Sequence, residues 1–424
     1  MNTLTETLRS FGVYRVFFSS VIQYNSICFR VIGGLMYPNL LKSVAFVTAL
    51  EFFLNSLLEL PFGKLSDKYG RARLAILGVF LVALGSLCLY FAFLNHENTQ
   101  LAYYFLTLNA LFIGVGKPLY SGSVESFYQS VLNCYKSSTE DEKIISNSLS
   151  ASSHYGRFVP IVFVLLAFTS LICFENLGVL SLCFLVSFTF FISMSIKLWI
   201  DYRKASKIKG FVDASESLIT DFEPRITDKK LFLYSSVVNL ITMLIAMLNL
   251  GYYILSLGRH ISLDSIEQYF SFAVYMIGIM GLGWVLSASL LPKLATKLLK
   301  PVQNQVFFGL LLCTNLAYYF LKIPKEIELL SVYLIGYGAI FQLSFSGLMN
   351  SARNISLDVS KKEHFAANLS LQNIPSFIAV ALASSIIAFN FNGALSLEYN
   401  YLVISTLAAI GLIYSLFVGW QNAK

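Results

Sequence analysis

Glu59-Leu-Pro61-Phe-Gly63-Lys-Leu-Ser-Asp67-Lys-Tyr-Gly70-Arg71-Ala-Arg73 carries a short, basic, glycine-bounded loop between two apolar runs, 41–62 and 74–94. Each run is about as long as a helix needs to cross lipid, roughly 20 residues. The basic charge sits between them and not within them, the pattern of a tight turn at a membrane surface. Reading outward in both directions gives more of the same. Apolar runs also cover 12–36, 102–122, 149–173, 178–199, 231–257, 267–291, 304–322, 328–350, 365–389 and 400–419, which makes twelve. Backbone groups in lipid must bond within their own segment, so these runs are helices.

Composition agrees. Of 424 residues, 56% are apolar and 12% charged, and mean hydropathy is +0.69. That charge content is about half of what a soluble protein carries, too little to cover a water-facing surface. The fold class is therefore an all-α polytopic membrane protein. A polar stretch, 201–230, separates a first set of six runs (1–200) from a second (231–424) and reads as a linker between two six-helix bundles.

The net charge of +7 matters by position. With both termini on one side, Lys42, Arg259, Lys322 and Lys325 fall on the far side, and Arg30, Lys117 and Arg157 fall inside spans. The rest of the thirty basic residues share the side of the termini, which the positive-inside rule makes cytoplasmic. Nucleic acid is not an expected partner of charge so arranged. Cys28, Cys88, Cys134, Cys173, Cys183 and Cys313 form no CxxC pair, and His96, His154, His260 and His364 are dispersed, so no metal or cofactor is expected. No GxxxxGK[ST] stretch is present to bind a nucleotide. No residue set points to hydrolase, ligase or redox chemistry, and the protein reads as a non-enzyme.

The loop 63–73 resembles the signature loop of the major facilitator superfamily, G-x-L-x-D-x-x-G-R-x-R/K, and matches every named position. Glu59-Leu-Pro61-Phe-Gly63 and Ser121-Gly-Ser-Val-Glu125 are similar to the E-x-P-x-G and S-G-S-x-E stretches of a bacterial exporter branch of that superfamily. Two departures separate the chain from typical drug:proton antiporters. Asn109–Gly116 has glycines without the helix-four arginine, and Gly156–Pro160 lacks the glycine-rich helix-five pattern. The resemblance implies two pseudo-symmetric halves alternating access to a central cavity. It also implies a cytoplasmic gate at the loop, built from Gly63, Asp67, Gly70, Arg71 and Arg73. Gly63 suits close helix approach and Gly70 a tight turn. Ser360-Lys-Lys-Glu363 fits a capping box, giving a helix N-terminus as a partner for Asp67.

Ionisable groups inside spans are costly, so each is a candidate for function. Glu51, Asn55 and Glu59 are spaced four apart on one helix face, and Gln23 and Arg30 share a stripe on the first span. Glu51 reads as proton carrier or substrate contact, with Arg30 within reach as a partner. Glu125 and Arg157 read as an ion pair, and Lys117 has no obvious partner. In the second half the polar stripes are uncharged, and Asn239, Asn249, Gln342 and Gln372 read as cavity lining or helix packing. The expectation is a monomeric secondary transporter in a bacterial inner membrane, with both termini cytoplasmic. It exports an organic small molecule against protons. A proton-coupled importer, and a non-transporting receptor on the same fold, are the competing readings.

Overall fold

The computed structural model describes residues 2–18, 20–22, 25, 38–121, 123–135, 159, 162, 177–208, 210–211, 213, 226–260, 300–321, 327–359, 365–390 and 397–422. Among these the chain is helical throughout. The elements are α1 (Asn2–Val13), a π-helical turn (Tyr14–Phe18), α2 (Pro38–Tyr69), α3 (Arg71–Leu94), α4 (Thr99–Tyr120), α5 (Ser123–Asn133) and α6 (Leu177–Ala205). They continue with α7 (Lys229–His260), α8 (Lys300–Phe320), α9 (Ile327–Asp358), α10 (Phe365–Asn390) and α11 (Leu397–Asn422). Six of the described helices contain stretches long and apolar enough to cross a membrane. The runs expected at 149–173 and 267–291, and much of 12–36, lie outside the described residues.

Two compact units emerge, Met1–Arg225 with Lys361–Ile374, and Ile226–Ser360 with Pro375–Lys424. The core of the first is built from α1, α3, α5 and α6, with Phe11, Val79, Phe127 and Phe191 among its buried side chains. The core of the second joins α7, α8, α9 and α11 around Tyr234, Phe308, Tyr337 and Tyr401. Large apolar side chains are exposed on other faces of the same helices. Phe53 and Leu57 of α2 are exposed, whereas Glu51, Asn55 and Glu59 are buried.

α1 begins at Asn2, well before the apolar run that starts at 12. Leu4, Leu8 and Phe11 recur at helical spacing and are buried, so a polar segment with one apolar face continues the helix. Glu6 bonds to Lys204 at 2.5 Å, and Lys197 joins Ser10 at 2.7 Å and Asp201 at 3.1 Å, tying α1 to the end of α6.

α3 and α4 cross at glycines. A β-carbon on Gly78 would stand 2.7 Å from the Gly116 carbonyl oxygen, and one on Gly116 would stand 2.9 Å from that of Gly78. Gly85 faces Ile113 and accepts a hydrogen bond on its carbonyl from Asn109 Nδ2 at 2.9 Å. Gly114 packs on the other side, against Leu54 and the Glu51 backbone of α2. The glycines of Asn109–Gly116 therefore let α4 lie close to both neighbours, as small residues do between helices in lipid.

Candidate functional site

The site grows from that close approach. With Gly114 against α2, Lys117 on the next turn of α4 reaches Glu51, and its Nζ lies 2.5 Å from Glu51 Oε1. The side chains are 14% and 4% exposed. The ammonium also lies 5.0 Å from the centre of the Phe52 ring, a cation–π contact. The expectation that Lys117 stands alone is corrected here. Its aliphatic stem carries the charge across the helix interface to the acid on α2. Arg30, the partner weighed for Glu51, lies outside the described residues.

Amides surround the pair. Asn25 Nδ2 donates to Ser86 Oγ at 3.0 Å and Asn25 Oδ1 accepts from Ser187 Oγ at 2.8 Å. Asn25, Glu51, Asn109 and Lys117 line a cavity of about 20 Å³, with Val82 and Phe191 among its apolar walls. A space of that size admits a water, which needs roughly 10–15 Å³ and two to four polar partners. It is far below the roughly 300 Å³ at which organic-ligand pockets begin. In the state described, this space is sized for a water and not for an organic solute.

Further along α2, Glu59 is fully buried. Its Oε1 accepts from Ser121 Oγ at 2.6 Å and from Asn373 Nδ2 at 3.3 Å, the latter from the stretch 361–374 that belongs to the first unit. Asn55, between Glu51 and Glu59, is also fully buried, and among the described residues neither of its amide atoms has a hydrogen-bond partner. Beyond Glu59, Ser123 Oγ donates to Ser66 Oγ at 2.7 Å, both groups buried.

The signature loop is held by a residue no local pattern announces. Gly70 has φ +106°, a conformation that L side chains rarely adopt, and as N-cap of α3 it offers no side chain to the first free N–H groups. Asp213, from the 201–230 linker, supplies the missing cap. Its Oδ1 accepts from the Ala72 N–H at 3.2 Å, and a β-carbon on Gly70 would meet Oδ2 at 2.7 Å. Burial pushes the Asp213 carboxyl above the usual aspartate range, against the opposing pull of the Ala72 N–H, Arg71 and Arg73. Arg71 Nη1 donates to Ser130 Oγ of α5 at 2.9 Å, and Arg73 is exposed.

A prediction follows for this cap. Asp213→Ala removes the acceptor and is expected to lower stability by about 0.5–2 kcal/mol, the usual value of an N-cap side chain. Asp213→Asn keeps an acceptor and sheds a buried charge, and it should be tolerated. The native state holds the Asp213 proton more tightly than the unfolded chain, so this group's contribution falls as pH rises through the window just above the ordinary aspartate range. Thermal unfolding across that window checks both statements, and Asn should remove that pH dependence.

The other candidates fall as follows. Gly63 is buried in α2, and Asp67 lies in its last turn with its side chain outside the described residues. Ser360, Glu363, Arg157 and Gln23, and the side chains of Glu125 and Gln372, lie outside them too, so the capping box and the Glu125–Arg157 pair are not described. Asn239 is buried on α7. Asn249 is buried, its Oδ1 3.3 Å from the Tyr337 hydroxyl, which also lies 3.0 Å from Asn315 Oδ1. Gln342 Nε2 donates to Ser346 Oγ at 3.2 Å on its own helix.

Stacked apolar helices, close glycine crossings and a buried ion pair define a multi-spanning α-helical membrane protein. The chain belongs to the Major Facilitator Superfamily, whose family model matches residues 25–384. Among solved structures it is similar to a bacterial homologue of the iron transporter ferroportin in its outward-facing state. The TM-score is 0.65 at 15% identity, over 99% of each chain. A structure of such a homologue with soaked iron gives 0.62 at 16% identity, over 97% of this chain and 98% of the other. A POT family transporter in complex with a thioalcohol-conjugated peptide gives 0.60 at 12% identity, over 99% and 95%. No curated protein matches the chain. At these identities the structural likeness establishes the fold, and the family establishes transport of a small molecule across a membrane.

Proposed function

We propose that the protein exports an organic small molecule in exchange for protons by alternating access, from a bacterial cytoplasm across the inner membrane. The observation that carries this reading is the buried Glu51–Lys117 pair beside a water-sized cavity. A buried ion pair is a poor stabiliser, because removing two charges from water costs several kcal/mol per ion. It is a good switch for the same reason. A proton arriving on Glu51 cancels the carboxylate and leaves the Lys117 ammonium uncompensated, so the two protonation states favour different surroundings for Lys117. That differential is what a ligand needs to shift a conformational equilibrium. The iron of the first neighbours is not carried over to this position, since a divalent cation at Glu51 would meet the Lys117 ammonium.

In the same reading the loop Gly63–Arg73 is the cytoplasmic gate, with Asp67, Arg71 and Arg73 as its charged members and the Ser360–Glu363 capping box of the sequence as the partner expected for Asp67. Proteoliposomes preloaded with a panel of organic solutes test the proposal. An inward proton gradient should drive efflux. Glu51→Gln should abolish the dependence on the gradient while keeping solute exchange without one. Gradient-driven uptake in the direction of the protons would instead make the protein an importer. Gradient-driven efflux that survives Glu51→Gln would remove Glu51 from the mechanism.

A further inference from the structure

Resting on the proton-exchange reading, we infer that Glu59 is a second proton site that connects Glu51 to the signature-loop end of the first unit, and that Asn55 holds the water between them. Glu51 and Glu59 lie eight residues apart on one buried face of α2, about 12 Å along the helix at 1.5 Å per residue. Direct transfer requires hydrogen-bond reach, about 3 Å, or one intervening water. The two acids therefore need an intermediary, and Asn55 stands one turn from each.

Asn55 is an unusual residue to bury. Its amide offers both a donor and an acceptor, and among the described residues neither is used. Buried polar groups in this condition point to water or an ion. Waters held by the Asn55 amide would satisfy both groups and form a short chain between the carboxyls, more than one being needed to cover about 12 Å along the helix at about 3 Å per hydrogen bond. Glu59 is placed to continue the path. Its Oε1 already takes the Ser121 hydroxyl at 2.6 Å, and the next hydroxyl pair along the same interface is Ser123–Ser66 at 2.7 Å, beside the loop that begins at Gly63.

The proton balance is simple. A protonated Glu51 gives its proton to the first water at Asn55, each water passes one of its own protons on, and the last gives one to the Glu59 carboxylate. Glu51, now ionised, pairs again with Lys117. Glu59 then releases its proton towards the loop to the Ser121 hydroxyl, which turns to accept it and passes its own proton on in the direction of the Ser123–Ser66 pair. No oxidant, reductant or co-reactant is needed.

The test uses the whole protein in oriented proteoliposomes on a solid-supported membrane, with a pH jump as the only probe. Wild type should give a transient charge movement after a jump on either side, and Glu51→Gln should abolish it. Glu59→Gln should slow the response to a jump on the loop side at least about tenfold more than the response to a jump on the opposite side, in line with the loss of a positioned proton-transfer group. Asn55→Ala should show the same one-sided slowing, and Glu59→Asp, which keeps a carboxyl, should recover most of the loop-side rate. If Glu51→Gln abolishes the charge movement while Glu59→Gln and Asn55→Ala respond equally from both sides, the relay is wrong and the exchange reading stands. If wild type shows no charge movement, or Glu51→Gln leaves it intact, the exchange reading fails and the relay with it.

Discussion

Lys117→Met is expected to lower the stability of the protein by about 3–5 kcal/mol, because it leaves the Glu51 carboxylate buried without its partner. Glu51→Gln, which strands the ammonium, should cost a similar amount. The double variant Glu51→Gln/Lys117→Met should regain most of the loss, since a neutral pair of comparable volume carries no buried charge and only the smaller cost of an amide. Thermal unfolding of the four proteins in the same detergent gives the coupling energy as a double-mutant cycle. The exchange reading makes a further demand. The double variant must fold like wild type and still fail to couple solute movement to protons. Recovery of both stability and coupling would make the pair structural and place the proton elsewhere.

Gly78→Leu is the second substitution with a large expected effect. Even a β-carbon at this position meets backbone, 2.7 Å from the Gly116 oxygen and 2.8 Å from the Tyr120 nitrogen, and backbone does not give way as a flexible side chain does. Gly78→Ala should therefore cost about 1–3 kcal/mol as an overpacked contact. Gly78→Leu should separate α3 from α4 and leave little folded protein. The damage should also reach the site, since Gly116 immediately precedes Lys117. Among properly folded protein, Gly78→Ala should weaken the Glu51–Lys117 coupling energy in the cycle above. A change at Gly12, whose β-carbon would meet nothing within 4 Å, serves as the comparison, and Gly12→Ala should do neither.

The parts of this architecture that follow from local chemistry are legible in the sequence. Hydropathy places α3 within a few residues, 74–94 against Arg71–Leu94, and the loop motif places Gly70 in a turn that its φ of +106° requires. Helices overrun the apolar windows where nothing stops them at the lipid boundary. α9 continues to Asp358 and α6 to Ala205, because hydrogen bonding along a helix does not end where hydropathy does. α1 starts early because its apolar residues lie on one face, a pattern that a search for long apolar runs passes over.

The contacts that make the site are long-range, and no local pattern announces them. Lys117 lies 66 residues from Glu51, and Asp213 lies 141 residues from the N–H it caps. Some signal for the first was present. Lys117 stood in an apolar run with no partner assigned, Glu51 stood in another run of the same six-helix set with Arg30 weighed for it, and lipid makes each charge expensive until it is paired. Gly114 and Gly116 mark where α4 comes close to its neighbours, which narrows the choice of partner to a residue on α2 or α3. The Asp213 cap had only a negative signal, a helix that begins after a glycine with no side chain to cap it.

Central to the account is that the Glu51–Lys117 pair couples solute movement to protons. The most direct measurement follows internal pH with a trapped dye in proteoliposomes while solute runs down its own gradient. Wild-type protein is predicted to move protons opposite to the solute. The folded Glu51→Gln/Lys117→Met protein is predicted to move solute without them. Proton movement in the double variant equal to wild type, at equal solute flux, would contradict the account.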